Sequence, residues 1–407
     1  MELLFEKIGV IFKFDMVGTI MVGLVSLYFG KKLKNKLTFL NKFGIPAAVL
    51  GGLLFAIFHL LLRVSKVGEI SYDTGFQTAF MIVFFTTIGL GSSIEGLKKG
   101  GKILIFFWLL SGVMTFMQTV IGVSIAKITR INPLLGVMAG SVSMSGGHGS
   151  AGAFGKTIEE LGVNGGLTVA LSSATFGLIA GGLLGAPLAI HLIKKYKLTP
   201  QNIINKDEIN TNSEFQKKNI TVNSMLSHIT MLSIIMSIGI TISLILKKNF
   251  GIALPSYVGA MLSAIIFNNL NNKYKWLELD RNLLNIIGET SLNIFLSMAL
   301  ISLKLWELAD LAIPLILILM GQVIFMWVYT RFIVFRIMGR DYDAAVMVAG
   351  MCGSGLGATT NAMINMEEVS SRYGYTMVPY LLVPLTGAFL IDIFQMPVII
   401  TAINLFK

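Results

Sequence analysis

Ten apolar runs set the limits on what this chain can fold into. They lie at roughly 16–30, 45–62, 76–91, 103–126 and 167–193, and again at roughly 225–246, 252–268, 283–303, 311–330 and 376–402. At about 15–28 residues each, they suit helices that rise ~1.5 Å per residue across ~30 Å of hydrocarbon. Barrel strands would be ~9–11 residues of alternating polarity. Composition agrees with helices in lipid: 54% of the 407 residues are hydrophobic and 13% are charged. A soluble domain carries about 25% charged residues, and so much apolar surface cannot be hidden in one water-facing core. The expected fold class is an all-α polytopic membrane protein. Disordered, collagen-like and disulfide-scaffold classes are excluded, the last because Cys352 is the single cysteine. No A-x-A-like cleavage site follows a basic start, so the first run is expected to stay as a span.

The net charge is +11. A basic excess can signal nucleic acid binding, but here the cations gather in the connections between apolar runs. With the polar stretch 194–223 placed in the cytoplasm, 21 of the 32 Lys and Arg fall on the inner side. That bias puts the linker inside, both termini outside, and no nucleic acid among the partners. Five spans precede the linker and five follow it. Five is odd, so the second half enters the membrane upside down relative to the first.

The halves also match each other in sequence. Pro46, Val49, Leu53, Ile57 and Phe58 recur as Pro255, Val258, Leu262, Ile266 and Phe267. Phe85, Gly89, Leu90 and Ser92 recur as Phe295, Ala299, Leu300 and Ser302, and Gly177 and Pro187 as Gly387 and Pro397. The offset stays between 208 and 210 positions, which argues for an internal repeat. Two inverted five-helix repeats are expected: 1–193, with a hairpin at about 132–160, and 224–407, with a hairpin at about 343–366. Secondary transporters are commonly built this way, with the site near mid-membrane between the repeats.

The hairpins are read from two glycine-rich segments between the fourth and fifth spans of each half. The first runs Gly140-Ser141-Val142-Ser143-Met144-Ser145-Gly146-Gly147-His148-Gly149-Ser150-Ala151-Gly152, the second from Gly350 through Cys352, Gly353, Ser354, Gly355, Leu356 and Gly357 to Thr359, Thr360 and Asn361. Each glycine lowers helix propensity by ~1 kcal/mol. Irregular backbone at membrane depth survives only when buried in protein or lining a wet cavity. Half-helix N-termini there offer N–H groups to a carboxylate, and half-helix C-termini and unwound carbonyls offer oxygens to Na⁺. The same glycines would also serve close helix packing of the G-x-x-x-G kind. A dinucleotide loop does not fit, because no strand–turn–helix context surrounds either segment.

Asp392 stands inside the last apolar run, where a carboxylate costs ~2.5–3.5 kcal/mol and usually faces a pathway. Its candidate partners are a substrate ammonium, Na⁺, or a neighbouring helix. His148 either donates to a carboxylate, carries a proton, or is a satisfied structural histidine. Arg372 could clamp a carboxylate but reads better as an inner-loop cation. Gln118, Glu289 and Asn293 are equally explained by helix–helix hydrogen bonds. Lys304, Trp306 and Glu307 read as an interfacial anchor. No serine sits in a G-x-S-x-G elbow, so an enzyme is not expected.

At these residues the sequence resembles the bacterial glutamate:sodium symporter family. The likeness is strongest in Gly140–Gly152, in Ser297-Met298-Ala299-Leu300 with Leu303–Leu308, in Asp341–Ala358 and in Gly387–Ile393. It implies sodium-coupled uptake of L-glutamate across the bacterial inner membrane, with Na⁺ as coupling ion and no other cofactor. The alternative is another carboxylate, such as aspartate or citrate, on the same fold. The family is distantly similar to citrate and 2-hydroxycarboxylate transporters, whose two re-entrant loops carry G-G-x-G. Gly146-Gly147-His148-Gly149 matches; Ser354-Gly355-Leu356-Gly357 departs from it. The resemblance also implies a homodimer whose protomers have a static part and a mobile, elevator-like part holding the hairpins. The candidate substrate-binding residues are Ser145, Gly146, Gly147, His148, Gly149, Ser150, Gly355, Gly357, Thr359, Thr360, Asn361 and Asp392. The candidates for sodium are Ser143, Ser354, Asn293 and Asp392.

Overall fold

The computed structural model describes residues 2–6, 9–37, 45–91, 101–201, 221–250, 254–308 and 311–407. Most of the expected linker, 202–220, lies outside the described residues.

Each apolar run becomes helix. The first half holds α1 (Met16–Lys36), α2 (Ala47–Val64), α3 (Gly75–Gly91), α4 (Gly101–Ile128), α5 (Pro133–Val142), α6 (Gly147–Glu160) and α7 (Gly166–Tyr196). The second holds α8 (Val222–Phe250), α9 (Ser256–Tyr274), α10 (Arg281–Ile301), α11 (Ala312–Ile337), α12 (Tyr342–Leu356), α13 (Thr359–Tyr373), α14 (Met377–Leu385) and α15 (Asp392–Phe406). Among the described residues, seven helices are long and apolar enough to cross a membrane: α1, α2, α4, α7, α8, α10 and α11. The fold is all-α and polytopic. Local chemistry sets the helix starts. Asp15 Oδ1 accepts from the Gly18 N–H at 2.7 Å to begin α1, and Pro46 and Pro255 precede α2 and α9, where a missing N–H costs nothing.

The last run differs from the single span expected. Pro384 and Pro397 lie inside helices, and a π-helical stretch, Thr386–Leu390, separates α14 from α15. A proline removes one backbone donor, and a π turn absorbs the mismatch. The N-terminal residues were not read as strands. Glu2–Glu6 (β1) pairs antiparallel with Gly9–Phe14 (β2), which pairs parallel with Gly68–Tyr72 (β3), tying the first residues to the α2–α3 connection.

The helices sort into two packed units that each draw on both halves. α1, α2, α3, α8, α9 and α10 pack on one another, as do α4–α7 and α11–α15, while contacts between the units are sparse. Both glycine-rich segments fall in the second unit, and the seam between the units runs past their tips.

The connections cluster at the two ends of the bundle. At one end Arg63 lies 4.2 Å over the Trp306 ring and pairs with Glu69 at 2.8 Å. At the other, Tyr196 stacks on Phe335 at 5.5 Å and the Tyr342 hydroxyl donates to the Gly374 carbonyl.

Candidate functional site: a cavity where two hairpin tips meet

The first hairpin is α5 and α6. Asn132 caps α5 through the Leu134 N–H at 2.9 Å, and Pro133 takes the first helical position. The chain leaves helical geometry at Gly140 (φ −91°, ψ −131°). Beyond the break, the Ser143 hydroxyl is within 2.7 Å of the Ala170 carbonyl on α7. The turn at Ser145 and Gly146 follows, and α6 begins at Gly147 with φ +61°. A side chain is strained in that left-handed region. A Cβ at Gly147 would also stand 2.8 Å from the Gly357 carbonyl oxygen. The tips of the two hairpins are therefore in contact.

The second hairpin is α12 and α13. Asp341 caps α12 through the Ala344 N–H at 2.8 Å, and every residue of α12 but Asp343 is buried. Side-chain amides fasten its tip from behind. Gln118 of α4 donates to the Gly355 carbonyl at 2.6 Å, and Gln322 of α11 donates to the Gln118 carbonyl at 2.8 Å. Asn361 and Asn365 of α13 donate to Leu178 and Gly181 of α7 at 2.6 and 3.0 Å. Interhelical amide bonds of this kind are worth about 0.6 kcal/mol each in a membrane protein, up to ~1.7.

Neither α6 nor α13 has a side-chain cap at its N-terminus. First-turn N–H groups have no partner within the helix, and the peptide dipoles sum to positive potential there. Both uncapped ends face one cavity of about 560 Å³. It is lined by Ser145, Gly146, Gly147, His148, Gly149 and Ser150 of the first hairpin and by Gly357, Thr359 and Thr360 of the second. Asp392 joins them from the first turn of α15, and no described residue pairs with its carboxylate. Across the seam the other unit supplies Phe84, Leu292, Asn293, Glu289 and Lys34. Uncapped helix ends can take an anion and a carboxylate can take a cation.

His148 lies 3.0 Å from Thr175 Oγ1 through Nε2. The Thr175 hydroxyl donates to the Leu171 carbonyl at 2.9 Å, so its oxygen is left to accept and the ring donates through Nε2. In the neutral ring Nδ1 is then an acceptor, suited to an ammonium rather than a carboxylate.

The cavity thus gathers most of the sequence candidates, including Asn293. Gly355, Asn361, Ser143 and Ser354 are not among its lining residues. Gly355 and Asn361 belong to the fastening of the second tip, and Ser143 to the contact with α7. Arg372 is exposed and pairs with Glu368 at 2.9 Å. Lys34 was missed as a cavity residue because α1 runs past its apolar stretch, carrying a loop-like lysine to the seam. Phe84, Leu178 and Leu292 gave no signal, being apolar residues in apolar helices. A larger cavity of about 630 Å³ between α8 and α9 is lined almost wholly by apolar side chains and offers no charge.

The family model for the sodium/glutamate symporter matches residues 12–375. The chain belongs to the sodium/glutamate symporter family. It is 38% identical to the sodium/glutamate symporter of Escherichia coli K12 over 387 residues, 94% of this chain and 96% of that one. It is 36% identical to that of Haemophilus influenzae over 390 residues, 94% and 95% of the two chains. Membership makes the protein a transporter rather than an enzyme. Among solved structures, a sodium proton antiporter of Methanocaldococcus jannaschii aligns over 95% of both chains at 13% identity with a TM-score of 0.41, too distant to bear on the fold.

Proposed function

We propose that the protein carries L-glutamate together with Na⁺ into a bacterial cell, binding both in the cavity between the hairpin tips. One observation carries this: two uncapped helix N-termini meet at a cavity that also holds Asp392, which pairs with no described residue, in a member of the symporter family. The N–H groups of α6 and α13, with the hydroxyls of Ser145, Ser150, Thr359 and Thr360, hold the two carboxylates of glutamate. Asp392, with Nδ1 of His148, holds the ammonium, or Asp392 and Asn293 hold Na⁺. Glutamate at neutral pH has a net charge of −1, so one Na⁺ makes the cargo neutral. A second would leave one charge, sensitive to voltage by about 2.3 kcal/mol per 100 mV.

Transport is elevator-like. The unit of α4–α7 and α11–α15 carries the cavity past the unit of α1–α3 and α8–α10. The recurring residues at constant offset and the even sharing of each half between the units support two inverted repeats, 1–193 and 224–407. Lys34, Pro46 and Ala47 line the cavity, at the end that the Lys and Arg count assigns to the cytoplasm, which supports an inward-facing cavity. The family resemblance supports a homodimer in the inner membrane.

Sodium-dependent counterflow of labelled glutamate in proteoliposomes tests this, with aspartate and citrate run alongside. Accumulation of glutamate in sodium, lost in choline, is expected. Sodium-independent flux, or faster exchange of citrate or aspartate than of glutamate, would overturn the assignment.

A further inference from the structure

The seam between the two units changes character along its length. Toward the end that holds Lys34, Pro46 and Ala47 it widens into the cavity. Toward the opposite end, α6 lies against α3, α9 and α10. A Cβ at Gly152 would stand 2.6 Å from Phe295 Cζ, so α6 offers almost bare backbone there. Phe154 meets Tyr257 edge-on at 5.3 Å, and Tyr257 meets Phe85 at 4.8 Å. Phe154 and Tyr257 are fully buried. Dispersion contacts of this kind are individually weak and undirected, so two faces can slide past them.

Lys156 is different. Half-buried on α6, it crosses the seam: Nζ donates to the Thr78 hydroxyl at 3.0 Å and to the Thr74 carbonyl at 3.5 Å. Both partners sit at the start of α3, in the other unit. The charges of Glu160, Asp73 and Glu159 are near enough to act on its ammonium, and Asp73 also belongs to the other unit. A hydrogen bond from a charged donor is directional and roughly twice as strong as a neutral one. It breaks, rather than slides, when α6 moves along α3.

We propose that Lys156 is the latch that holds the outer end of the seam shut, and that its release from Thr78 and Thr74 is a step in every transport cycle. This rests on the two-unit movement proposed above. With the latch closed, the outward-open state is only a fraction of the population, and the apparent affinity for outside glutamate is reduced by that fraction. Removing the latch enlarges the fraction without touching the cavity.

The test is the KM for external glutamate in right-side-out vesicles. Lys156→Gln is expected to lower it about threefold to tenfold. Thr78→Ala shifts it the same way and serves if Lys156→Gln fails to insert. Lys156→Arg, which can still donate, restores the original value. General damage to the fold would raise KM or lower the maximal rate instead. A second arm tests the movement alone: Phe154→Cys and Tyr257→Cys, with Cys352→Ser, are cross-linked across the seam. Arrest of uptake, reversed by reduction, together with the lowered KM supports the latch. Arrest with KM unchanged or raised in both Lys156→Gln and Thr78→Ala overturns the latch and leaves the movement standing. Uptake by the cross-linked protein at the reduced protein's rate overturns the movement and the latch with it.

Discussion

The first hairpin turns at Ser145 and Gly146 and presents a run of six residues to the cavity, with Thr175 beside His148 and Gln395 donating to the Ser141 carbonyl at 2.8 Å. The second turns at Gly357 and Ala358 and presents fewer, while Gln118, Asn361 and Asn365 fasten it from behind. Equivalent places in the two halves have thus taken different chemistry. The first tip brings the longer run of backbone N–H groups to the cavity, with the hydroxyls of Ser145 and Ser150. The second adds the uncapped start of α13 and the hydroxyls of Thr359 and Thr360, on a tip tied to its neighbours by Gln118, Asn361 and Asn365.

The largest effect should come from the residue that faces both tips. Asp392→Asn removes the carboxylate that stands beside the tips in the cavity, so sodium-driven accumulation of glutamate should fall to background while membrane insertion is unchanged. Full uptake by this variant would show that the tips alone carry the cation. Next is Gly147→Ala, which forces a side chain into the left-handed region, at about 1–2 kcal/mol, and pushes on the Gly357 carbonyl. Initial uptake rates should drop about tenfold or more. Gly355→Ala should do less, because its Cβ would meet the flexible ends of Met114 and Met326. Equal losses in the two variants would erase the contrast between the tips.

Hydropathy made the spans legible because lipid demands about 20 apolar residues per helix, and the glycine clusters marked both hairpins because glycine weakens a helix wherever it gathers. The helical phase beyond a break was not legible. Ser143 and Ser354 stand among the sodium candidates, yet the unwinding at Gly140 leaves Ser143 against Ala170, and neither serine lines the cavity. Nor did the sequence reveal that each half divides after its third span between the two packed units. That division depends on contacts such as Gln118 with Gly355, far apart in the chain, and on apolar faces that all look alike. The pairing of β2 with β3 was hidden because the partner segment lies more than fifty residues away.

Smaller effects sharpen the contrast. Asn361→Leu leaves the Leu178 carbonyl without its donor and should cost about 0.6–1.7 kcal/mol, read as a lower melting temperature in detergent. Its effect on uptake should be smaller than that of Gly147→Ala. Arg372→Gln breaks an exposed pair with Glu368, worth about 0–1 kcal/mol, and should leave both melting temperature and the KM for glutamate unchanged. A marked rise in KM would bring Arg372 into the site.

The most direct test of a shared glutamate and sodium site at the tips is calorimetric titration of the purified protein with glutamate in sodium and in choline buffer. Clear binding in sodium that collapses in choline, and disappears in Asp392→Asn under both conditions, is the expected result. Equal affinity in the two buffers would contradict it.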